Sequence, residues 1–373
     1  MPGISRRGFC QTAAACGLAL AGNWAIAADD AAEITVPLLG DLHFDRLEHH
    51  DHEWLAREYP GDVRQVQNYS EITSERTPQL LERVRANCES LQQAGATIPF
   101  VLQLGDLLEG LCGSQQLAVR QAREAIEFWQ QAKLPAPMLM TKGNHDVTGP
   151  GAADAYQRTL LPFLADGAKT KIDRTVFTRA TGGTLWVFYD AYDRASLDWF
   201  AGVLEEQKPR RLIVAIHPPV VPYNARSTWH VYSADKYREQ RTRLLELLGR
   251  HRAIVLCGHL HKYSFLVRRT EHGPFAQLAL SSVASTSDGR VKDELLHVDD
   301  YGPDLVDLEP KHSPDTVEVR RAWLMAERPF LEHFEYAETW GHGAVHLRGD
   351  QVLATIHRGL ETQPWKKLDL RFA

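Results

Sequence analysis

The feature that most constrains the fold of this chain is a set of short apolar runs, each followed by glycine or a polar turn. The runs are rich in Val, Ile and Leu and lack strict alternation with polar residues, which is typical of strands buried on both faces. They are Ile34–Leu39, Phe100–Leu104, Met138–Thr141, Leu212–Ile216 and Ala253–Leu256. Each run is therefore predicted to be a buried strand.

Helical periodicity fills much of the chain between these runs. The predicted helices are Thr77–Ala94, Gln115–Ala132, Ala153–Leu164, Ser196–Gln207 and Tyr237–Arg250. Strands that alternate with helices predict an α/β fold. In such a fold the loops at the carboxyl ends of the strands build the functional site.

From about Tyr263 onward, strand-like runs follow one another without long helices between them. The predicted strands are Tyr263–Arg268, Phe275–Leu280, Val317–Met325, Phe330–Tyr336, Ala344–Leu347 and Gln351–His357, with a loop over Val298–Pro314. We therefore predict a main domain over residues 33–297 and a small C-terminal β-rich accessory segment over residues 298–373.

The first residues resemble an export signal rather than part of the fold. Arg6 and Arg7 precede an Ala-rich apolar run, and Ala25–Ala27 fits a signal-peptide cleavage site. The head Ser5–Phe9 resembles the twin-arginine motif. Residues 1–28 are therefore predicted to be a signal peptide that the twin-arginine export machinery reads, and the mature protein is expected to be periplasmic or otherwise exported. No other stretch approaches the ~18 apolar residues of a membrane span, so no transmembrane anchor is expected.

Cleavage at this position leaves three cysteines, Cys88, Cys112 and Cys257. An odd number does not indicate a full disulfide framework. Cys257 lies in an apolar, strand-like run and is predicted to be a buried thiol.

Charge and histidine content bear on the class of ligand. The net charge of −6 argues against a generic nucleic-acid binder, which usually carries a basic face, so no nucleic acid is expected as a stable partner. The chain also has 17 histidines. Histidine is the commonest metal ligand and the usual proton shuttle near neutral pH, so the positions of these residues matter.

Possible metal ligands occupy five strand ends or turns, and glycine precedes them in four of the five. The segments are Gly40–His43, Gly105-Asp106, Gly143–Asp146, His217-Pro218 and Gly258–His261. Glycine permits the sharp turns and close backbone approach that such a site needs. The mixture of oxygen and nitrogen ligands suits a pair of transition metals better than calcium.

In the order D-x-H, GD, GNHD, H and GHxH, these motifs resemble the full signature of the calcineurin-like metallophosphoesterase family, over roughly Glu33 to Ser287. The resemblance implies a four-layer α/β/β/α sandwich, in which helices cover two β-sheets. The implied ligands of a first metal are Asp41, His43 and His261. The implied ligands of a second are Asn144, His217 and His259, and Asp106 corresponds to the carboxylate that bridges both. The two ions per chain could be manganese, iron or zinc.

The resemblance also implies a reaction. A hydroxide that bridges the metals would attack phosphorus in line with the leaving oxygen. His145 corresponds to a residue that stabilises the transition state or protonates the leaving group. Glu109 stands where a carboxylate commonly pairs with that histidine, although a helix-start carboxylate is an equal interpretation of this residue.

Departures from the motifs narrow the subfamily. Gly110 replaces the arginine of protein serine/threonine phosphatases, Glu109 replaces the tyrosine ligand of purple acid phosphatases, and the tail is too short for the 5′-nucleotidase substrate domain. An exported phosphodiesterase or phosphomonoesterase for a small phosphate ester remains, with diesters slightly favoured. The alternative is a metal-binding, non-catalytic envelope protein on the same fold.

Two polar segments lie close to the motifs. The segment from Asp45 to Thr77 is predicted to be a long loop insertion, and its run of His49, His50 and His52 is interpreted as solvated rather than as an extra metal site. A second loop follows His217 and could hold part of a substrate. Its candidate substrate-binding residues are Tyr223, Asn224, Trp229 and His230, and packing of the loop on the domain is the alternative.

Overall fold

The computed structural model describes residues 33–169, 171–285, 288–311 and 315–371, so the predicted signal peptide lies outside the described residues. The strands are β1 Ile34–Leu39, β2 Val101–Gln103, β3 Met138–Met140, β4 Phe177–Thr181, β5 Thr184–Tyr189, β6 Leu212–Ile216, β7 Ile254–Cys257, β8 Tyr263–Thr270, β9 Gly273–Ala279, β10 Lys292–Leu295, β11 Leu331–Glu338, β12 Gly341–Arg348, β13 Gln351–Arg358 and β14 Lys366–Asp369. All five predicted buried strands are present, and every predicted end lies within one residue of the observed end.

Helices lie between most of the parallel strands. They are α1 His52–Glu58, α2 Val63–Glu75, α3 Thr77–Gln93, α4 Gln115–Gln131, α5 Ala152–Ala155, α6 Leu161–Ala168, α7 Ser196–Gln207, α8 Arg238–Arg250 and α9 Val317–Glu327. A π-helical turn, Tyr156–Leu160, joins α5 to α6. Short 3₁₀ helices span Leu47–His49, His145–Val147, Asp235–Tyr237, Val298–Asp300, Pro303–Leu308 and Arg328–Phe330.

Two sheets form the centre of the molecule. The first has the order β14-β13-β12-β1-β2-β3, and the second has the order β10-β11-β8-β9-β7-β6-β5-β4. Val36 of β1 and Trp186 of β5 belong to one apolar core, which therefore lies between the sheets. Val187, on the opposite face of β5, packs in a second core with Phe200 of α7 and Leu248 of α8. The predicted four-layer α/β/β/α architecture is confirmed.

The parallel strands bring the motif segments together. β1, β2 and β3 run parallel in the first sheet, and β6 and β7 run parallel in the second. Each of the five motif segments follows the carboxyl end of one of these strands. A hydrogen bond from the Gly258 N–H to the His217 carbonyl, 2.9 Å long, ties the last two segments to each other.

The C-terminal strands are built into both sheets instead of forming an accessory layer. β12 pairs with β1 over Ile34↔Leu347 to Leu38↔Gly343, and β11 pairs with β8. Residues 298–373 therefore complete the two sheets that carry the motifs, and the predicted boundary at residue 297 does not separate two packing units.

Val317–Met325, predicted as a strand, is instead the greater part of helix α9. The Thr316 side chain accepts a hydrogen bond from the Val319 N–H and caps the helix. Arg320, Leu324 and Glu327 form its buried face, at the spacing of one side of a helix. Two of these buried residues are charged, so the sequence shows no apolar stripe at helical spacing.

The segment from Asp45 to Thr77 is also helical rather than a long loop, and His49 and His50 are buried rather than solvated. His50 lies between two acceptors, the Asp45 carboxylate at 2.8 Å and the Leu111 carbonyl at 3.0 Å. His49 contacts Glu124 at 3.0 Å. The buried Asp45 carboxylate explains the difference, because it provides a charged partner inside the domain. His52 is exposed at the start of α1.

Cys257 is fully buried, as predicted, and Cys88 and Cys112 are buried free thiols as well. Among the described residues, no helix combines the length and the apolar character that crossing a membrane requires.

Candidate metal centre

The first group of possible ligands consists of Asp41, His43 and His261, which the fold brings together from the turns after β1 and β7. The Nε2 atoms of His43 and His261 lie 3.0 Å apart. Asp41 Oδ1 lies 3.6 Å from His261 Nε2. The resemblance assigned these three residues to one metal, and their side chains converge accordingly.

A second group consists of Asp106, His217 and His259. His217 Nε2 lies 2.9 Å from Asp106 Oδ2, and His259 Nδ1 lies 3.2 Å from His217 Nε2. Asp106 Oδ2 is also 3.8 Å from His43 Nε2 of the first group. The carboxylate predicted to bridge the metals therefore lies between the two groups.

Asn144 precedes a residue whose backbone is bonded to the second group. The backbone N–H of the next residue, His145, donates to Asp106 Oδ1 at 2.8 Å. The hydroxyl of Tyr192 donates to Asn144 Oδ1 at 3.2 Å, so this amide oxygen is held in position.

Backbone conformation at the ligands is unusual. His43, Asp106, His259 and His261 have φ values of 47°, 52°, 73° and 54°. Non-glycine residues rarely adopt this left-handed region, and such strain concentrates at functional sites. The strained turns direct four candidate ligand side chains towards one point.

Two motif glycines leave room for the carboxylates. A Cβ atom at Gly143 would lie 2.1 Å from Asp106 Oδ1, and one at Gly258 would lie 2.6 Å from Asp41 Oδ2. Any side chain at either position would occupy the space of a predicted metal ligand, which explains why glycine stands at these two turns.

Hydrogen bonds orient the imidazole rings. His217 Nδ1 donates to the Leu104 carbonyl at 2.8 Å, and His43 Nδ1 contacts Glu109 Oε2 at 2.7 Å. In the neutral rings, both Nε2 atoms then carry lone pairs that face the centre of the site. Converging nitrogen lone pairs next to two buried carboxylates fit bound transition-metal cations.

The electrostatics of the site couple its groups. Burial alone lowers the pKa of His217, but the Asp106 and Asp41 carboxylates outweigh it and raise that pKa to about 9. Burial and the neighbouring His217 lower the pKa of His259 to about 3. Burial opposes ionisation of Asp106, yet the surrounding histidines hold its pKa well below the usual range. The site therefore contains a carboxylate that remains negative and ready to bind a cation.

The Glu109 carboxylate faces two motif histidines, His43 as well as the predicted His145. The buried Glu109 carboxylate contacts His43 at 2.7 Å and accepts from Gln65 at 2.8 Å, whereas its distance to His145 Nδ1 is 3.4 Å. His145 Nδ1 instead donates to the backbone carbonyl of Glu109 at 2.8 Å. Glu109 therefore orients a candidate metal ligand first and faces His145 second.

The side chain of His145 is partly exposed, at 21%. Because its Nδ1 is held by the Glu109 carbonyl, its Nε2 is left for a ligand. Burial lowers its pKa, but the charges of Glu109 and Asp106 outweigh this effect and raise the pKa to about 9.

Asp146 ties two motif loops together. Its carboxylate accepts from the backbone N–H groups of Asp106 and Leu108 at 3.0 Å and of Gly143 at 2.8 Å. Burial and the charge of Asp106 raise its pKa to about 6. The sequence alone did not assign a role to this residue.

Of the four candidate substrate-binding residues, only Trp229 lies at the site, where its ring centroid is 5.8 Å from that of His259. Tyr223 and Asn224 are fully buried, and the Asn224 side chain accepts from the Arg226 N–H. His230 is buried and packs edge-on against Trp323. These three residues pack the loop, which was the alternative interpretation.

Two aromatic residues at the site were missed. Tyr69 of α2 stacks on His43 with ring centroids 4.3 Å apart, and its hydroxyl lies 3.5 Å from His261 Nδ1. Tyr192 is 42% exposed and bonds Asn144. Both lie outside the motifs, and no local pattern distinguishes them, because the fold alone brings them to the ligands.

A two-sheet α/β/β/α sandwich with two adjoining groups of carboxylate and imidazole ligands at its strand ends defines a class of binuclear metallohydrolases. The model of the family described as calcineurin-like phosphoesterase matches residues 34–263, more than half of the chain. The protein belongs to this family, whose members bind a dinuclear metal centre.

Solved structures share the fold at low sequence identity. A dimetal phosphatase from Danio rerio is 12% identical with a TM-score of 0.51, over 91% of this chain and 99% of that one. A purple acid phosphatase from yellow lupin is 10% identical with a TM-score of 0.50, over 91% of this chain, which spans only 53% of the lupin enzyme. The anchor protein of the Plasmodium inner membrane complex is 11% identical with a TM-score of 0.50, over 92% of this chain and 90% of that one. No curated protein shows significant sequence similarity to the chain.

Proposed function

We propose that the protein is a binuclear metal-dependent phosphoesterase that hydrolyses small phosphate esters, with phosphodiesters slightly favoured over monoesters. The observation that carries this proposal is the placement of Asp106 between two groups of ligands, with His145 beside them. Family membership supports the reaction class.

The proposed ligands of one metal are Asp41, His43 and His261, and those of the other are Asn144, His217 and His259, with Asp106 shared. When bound, two such ions supply Lewis-acid stabilisation of the phosphoryl oxygens and an activated water. The protein's own contribution is to hold the ligand side chains in position. Glu109 orients the His43 ring, and the Leu104 carbonyl orients the His217 ring.

His145 is the proposed catalytic residue outside the ligand set. Its Nδ1–H is engaged by the Glu109 carbonyl, so its Nε2 can donate a proton to the leaving oxygen or a hydrogen bond to the phosphoryl group. Trp229 and Tyr192 flank the ligands and are proposed to contact the ester arms.

The direct test is hydrolysis of p-nitrophenyl phosphate, bis-p-nitrophenyl phosphate and cyclic nucleotides by protein reconstituted with manganese, iron or zinc. We expect about two ions per chain and loss of activity with a chelator. Asp106→Ala should have the largest effect of the ligand variants, because it removes the shared carboxylate. Bound metal without hydrolysis of any ester would instead favour a non-catalytic, metal-binding envelope protein.

That alternative has a structural counterpart, since the Plasmodium protein of the same fold is named as an anchor. A protein that has lost catalysis is free to lose ligands. This chain retains all seven ligand positions together with His145, which supports the enzyme.

We also propose that the precursor is exported by the twin-arginine route, on the basis of Arg6, Arg7 and the apolar run that follows. Replacing both arginines with lysine should leave the precursor in the cytoplasm. Fractionation of cells that express the two forms measures this, and normal export of the Lys-Lys form would exclude the route.

A further inference from the structure

A cavity of about 380 Å³ opens beside the candidate metal centre, next to His261 and Tyr69. The charged side chains on its wall, apart from His261, are Arg226, Lys262, Arg290, Lys292 and Glu338. Four of these five are cationic. None is among the proposed metal ligands, and His145 is not part of the wall.

The strand register places three of these charges side by side. Lys292 of β10 is opposite Glu338 of β11, and Ala337 of β11 is opposite Tyr263 of β8, so Glu338 faces Lys262. Lys262 directly follows His261. Because neighbouring strands are about 4.8 Å apart, the backbones of Lys262 and Lys292 are separated by roughly 10 Å. The row therefore leads from the metal centre across the sheet.

The cations nearest the metals already have carboxylate partners. Lys262 Nζ lies 2.9 Å from Glu338 and 3.3 Å from Glu309. Arg226 Nε lies 3.2 Å from Glu309, and its guanidinium carbon lies 5.4 Å from the centroid of the Trp229 ring. These contacts hold Lys262 and Arg226 in position at the end of the cavity near the metal centre.

The outer end has surplus positive charge. Arg290 is 77% exposed and contacts Asp288 at 3.5 Å. Within the described part of the chain, no carboxylate lies within 4.0 Å of Lys292 Nζ. The cavity wall has four cationic side chains and one carboxylate, Glu338. Even when the partners Glu309 and Asp288 are included, only three carboxylates balance the four cations. An anion that enters from the metal centre would neutralise the excess.

We propose that this cavity binds a second anionic group of the substrate, a phosphate or a carboxylate on the ester arm that extends past His261 towards Arg290 and Lys292. The inference rests on the proposed phosphoesterase function and restricts its substrates to phosphate esters with a second acidic group. Arginine and lysine bind such groups through charge-assisted hydrogen bonds.

The test uses three p-nitrophenyl phosphodiesters whose second arm is an alkyl chain of one length that ends in a hydroxyl, a carboxylate or a phosphate. The wild-type protein should have a kcat/KM about tenfold higher for an anionic arm than for the hydroxyl arm. A preference for phosphate over carboxylate identifies the native group as phosphate, and equal preference identifies the shared charge as the recognised feature.

Arg290→Gln and Lys292→Gln should each lower the ratio of kcat/KM for the anionic and hydroxyl arms, by threefold or more. Arg210→Gln is a matched control, because Arg210 is 83% exposed and also has a carboxylate at 3.5 Å, yet is not part of the cavity. Its ratio should stay at the wild-type value.

Equal kcat/KM for all three arms in the wild type would overturn the inference and leave the phosphoesterase function intact. An equal fall of the ratio in Arg210→Gln and Arg290→Gln would also overturn it, since net charge rather than the cavity would be responsible. Failure to hydrolyse any of the three esters would count against the phosphoesterase function itself.

Discussion

Replacing Glu109 with glutamine tests whether this carboxylate acts through the proposed metal ligand His43. Its Oε2 contacts His43 Nδ1 at 2.7 Å, and its Oε1 accepts from Gln65 at 2.8 Å. A glutamine of the same size can still offer its amide oxygen to His43. Gln65 can turn its own amide over to accept the new N–H. The substitution therefore removes one buried negative charge and leaves the packing unchanged.

The expected loss follows from the hydrogen bond to His43. Charge-assisted hydrogen bonds are roughly twice as strong as neutral ones, so the neutral glutamine should hold His43 less firmly. Mutation of the partner behind a metal-binding histidine typically costs about 10–100-fold in metal affinity or activity. That range corresponds to about 1.4–2.8 kcal/mol. Binding at the site of Asp41, His43 and His261 should weaken accordingly, while binding at the other site should change little.

Titration of metal-free protein with Mn²⁺, monitored by calorimetry and by enzymatic activity, measures the metal affinity of both sites. Glu33→Gln is the matched control, since Glu33 contacts His346 Nδ1 at 3.2 Å at the opposite end of β1, about 25 Å from Asp41 by strand rise. Unchanged metal affinity together with a reduced kcat would refute this reasoning and place the action of Glu109 on His145.

Three further variants test other parts of the structure. His145→Ala should keep both metals and lower kcat by about 10²–10⁴-fold. The decrease should be smaller for a nitrophenolate leaving group than for an alkyl leaving group. If metal analysis shows that the variant has lost an ion, His145 is a metal ligand instead. Gly143→Ala should reduce metal content because its Cβ would lie 2.1 Å from Asp106 Oδ1, whereas Gly202→Ala, with no atom within 4 Å of its Cβ, should not. Burial lowers the pKa of His50, but the Asp45 carboxylate outweighs burial and raises that pKa above 6.5 in the folded protein. Protonated His50 therefore stabilises the folded protein fully below pH 6.5, and this stabilisation is lost as the pH rises through the folded-state pKa. His50→Gln should therefore lower the free energy of unfolding in urea by about 1–3 kcal/mol at pH 6 and by less at pH 9. A loss of stability that is the same at both pH values would contradict this assignment.

Much of the fold could be predicted because its local signals agree with its tertiary structure. Strands such as Leu212–Ile216 are buried on both faces and so are apolar along their whole length. Helices such as Ser196–Gln207 have one buried side and so show helical periodicity. The carboxyl ends of parallel strands meet at one edge, which made the five motif segments predictable as a single site.

The predictions for α9 and for His50 were wrong because their local sequence signals disagree with the tertiary structure. In α9 the buried face contains Arg320, which donates to the backbone carbonyls of Ala225, Glu309 and Pro310. It also contains Glu327, which pairs with arginines of distant elements. Glu327 accepts from Arg241 at 2.6 Å and from Arg268 at 2.7 Å. The same applies to His50, whose burial depends on Asp45. A local pattern records the polarity of a side chain but not the presence of its partner.

The sequence by itself determined which residues follow the strands, and with them the candidate ligands of a binuclear centre. The tertiary structure decided which ligand Glu109 supports, why the C-terminal strands belong to both sheets, and how Lys262, Glu338 and Lys292 form a row beside His261. These relationships join residues far apart in the chain. They depend on strand register and on side-chain packing, which bring together groups whose spacing along the sequence carries no information about their distance in space.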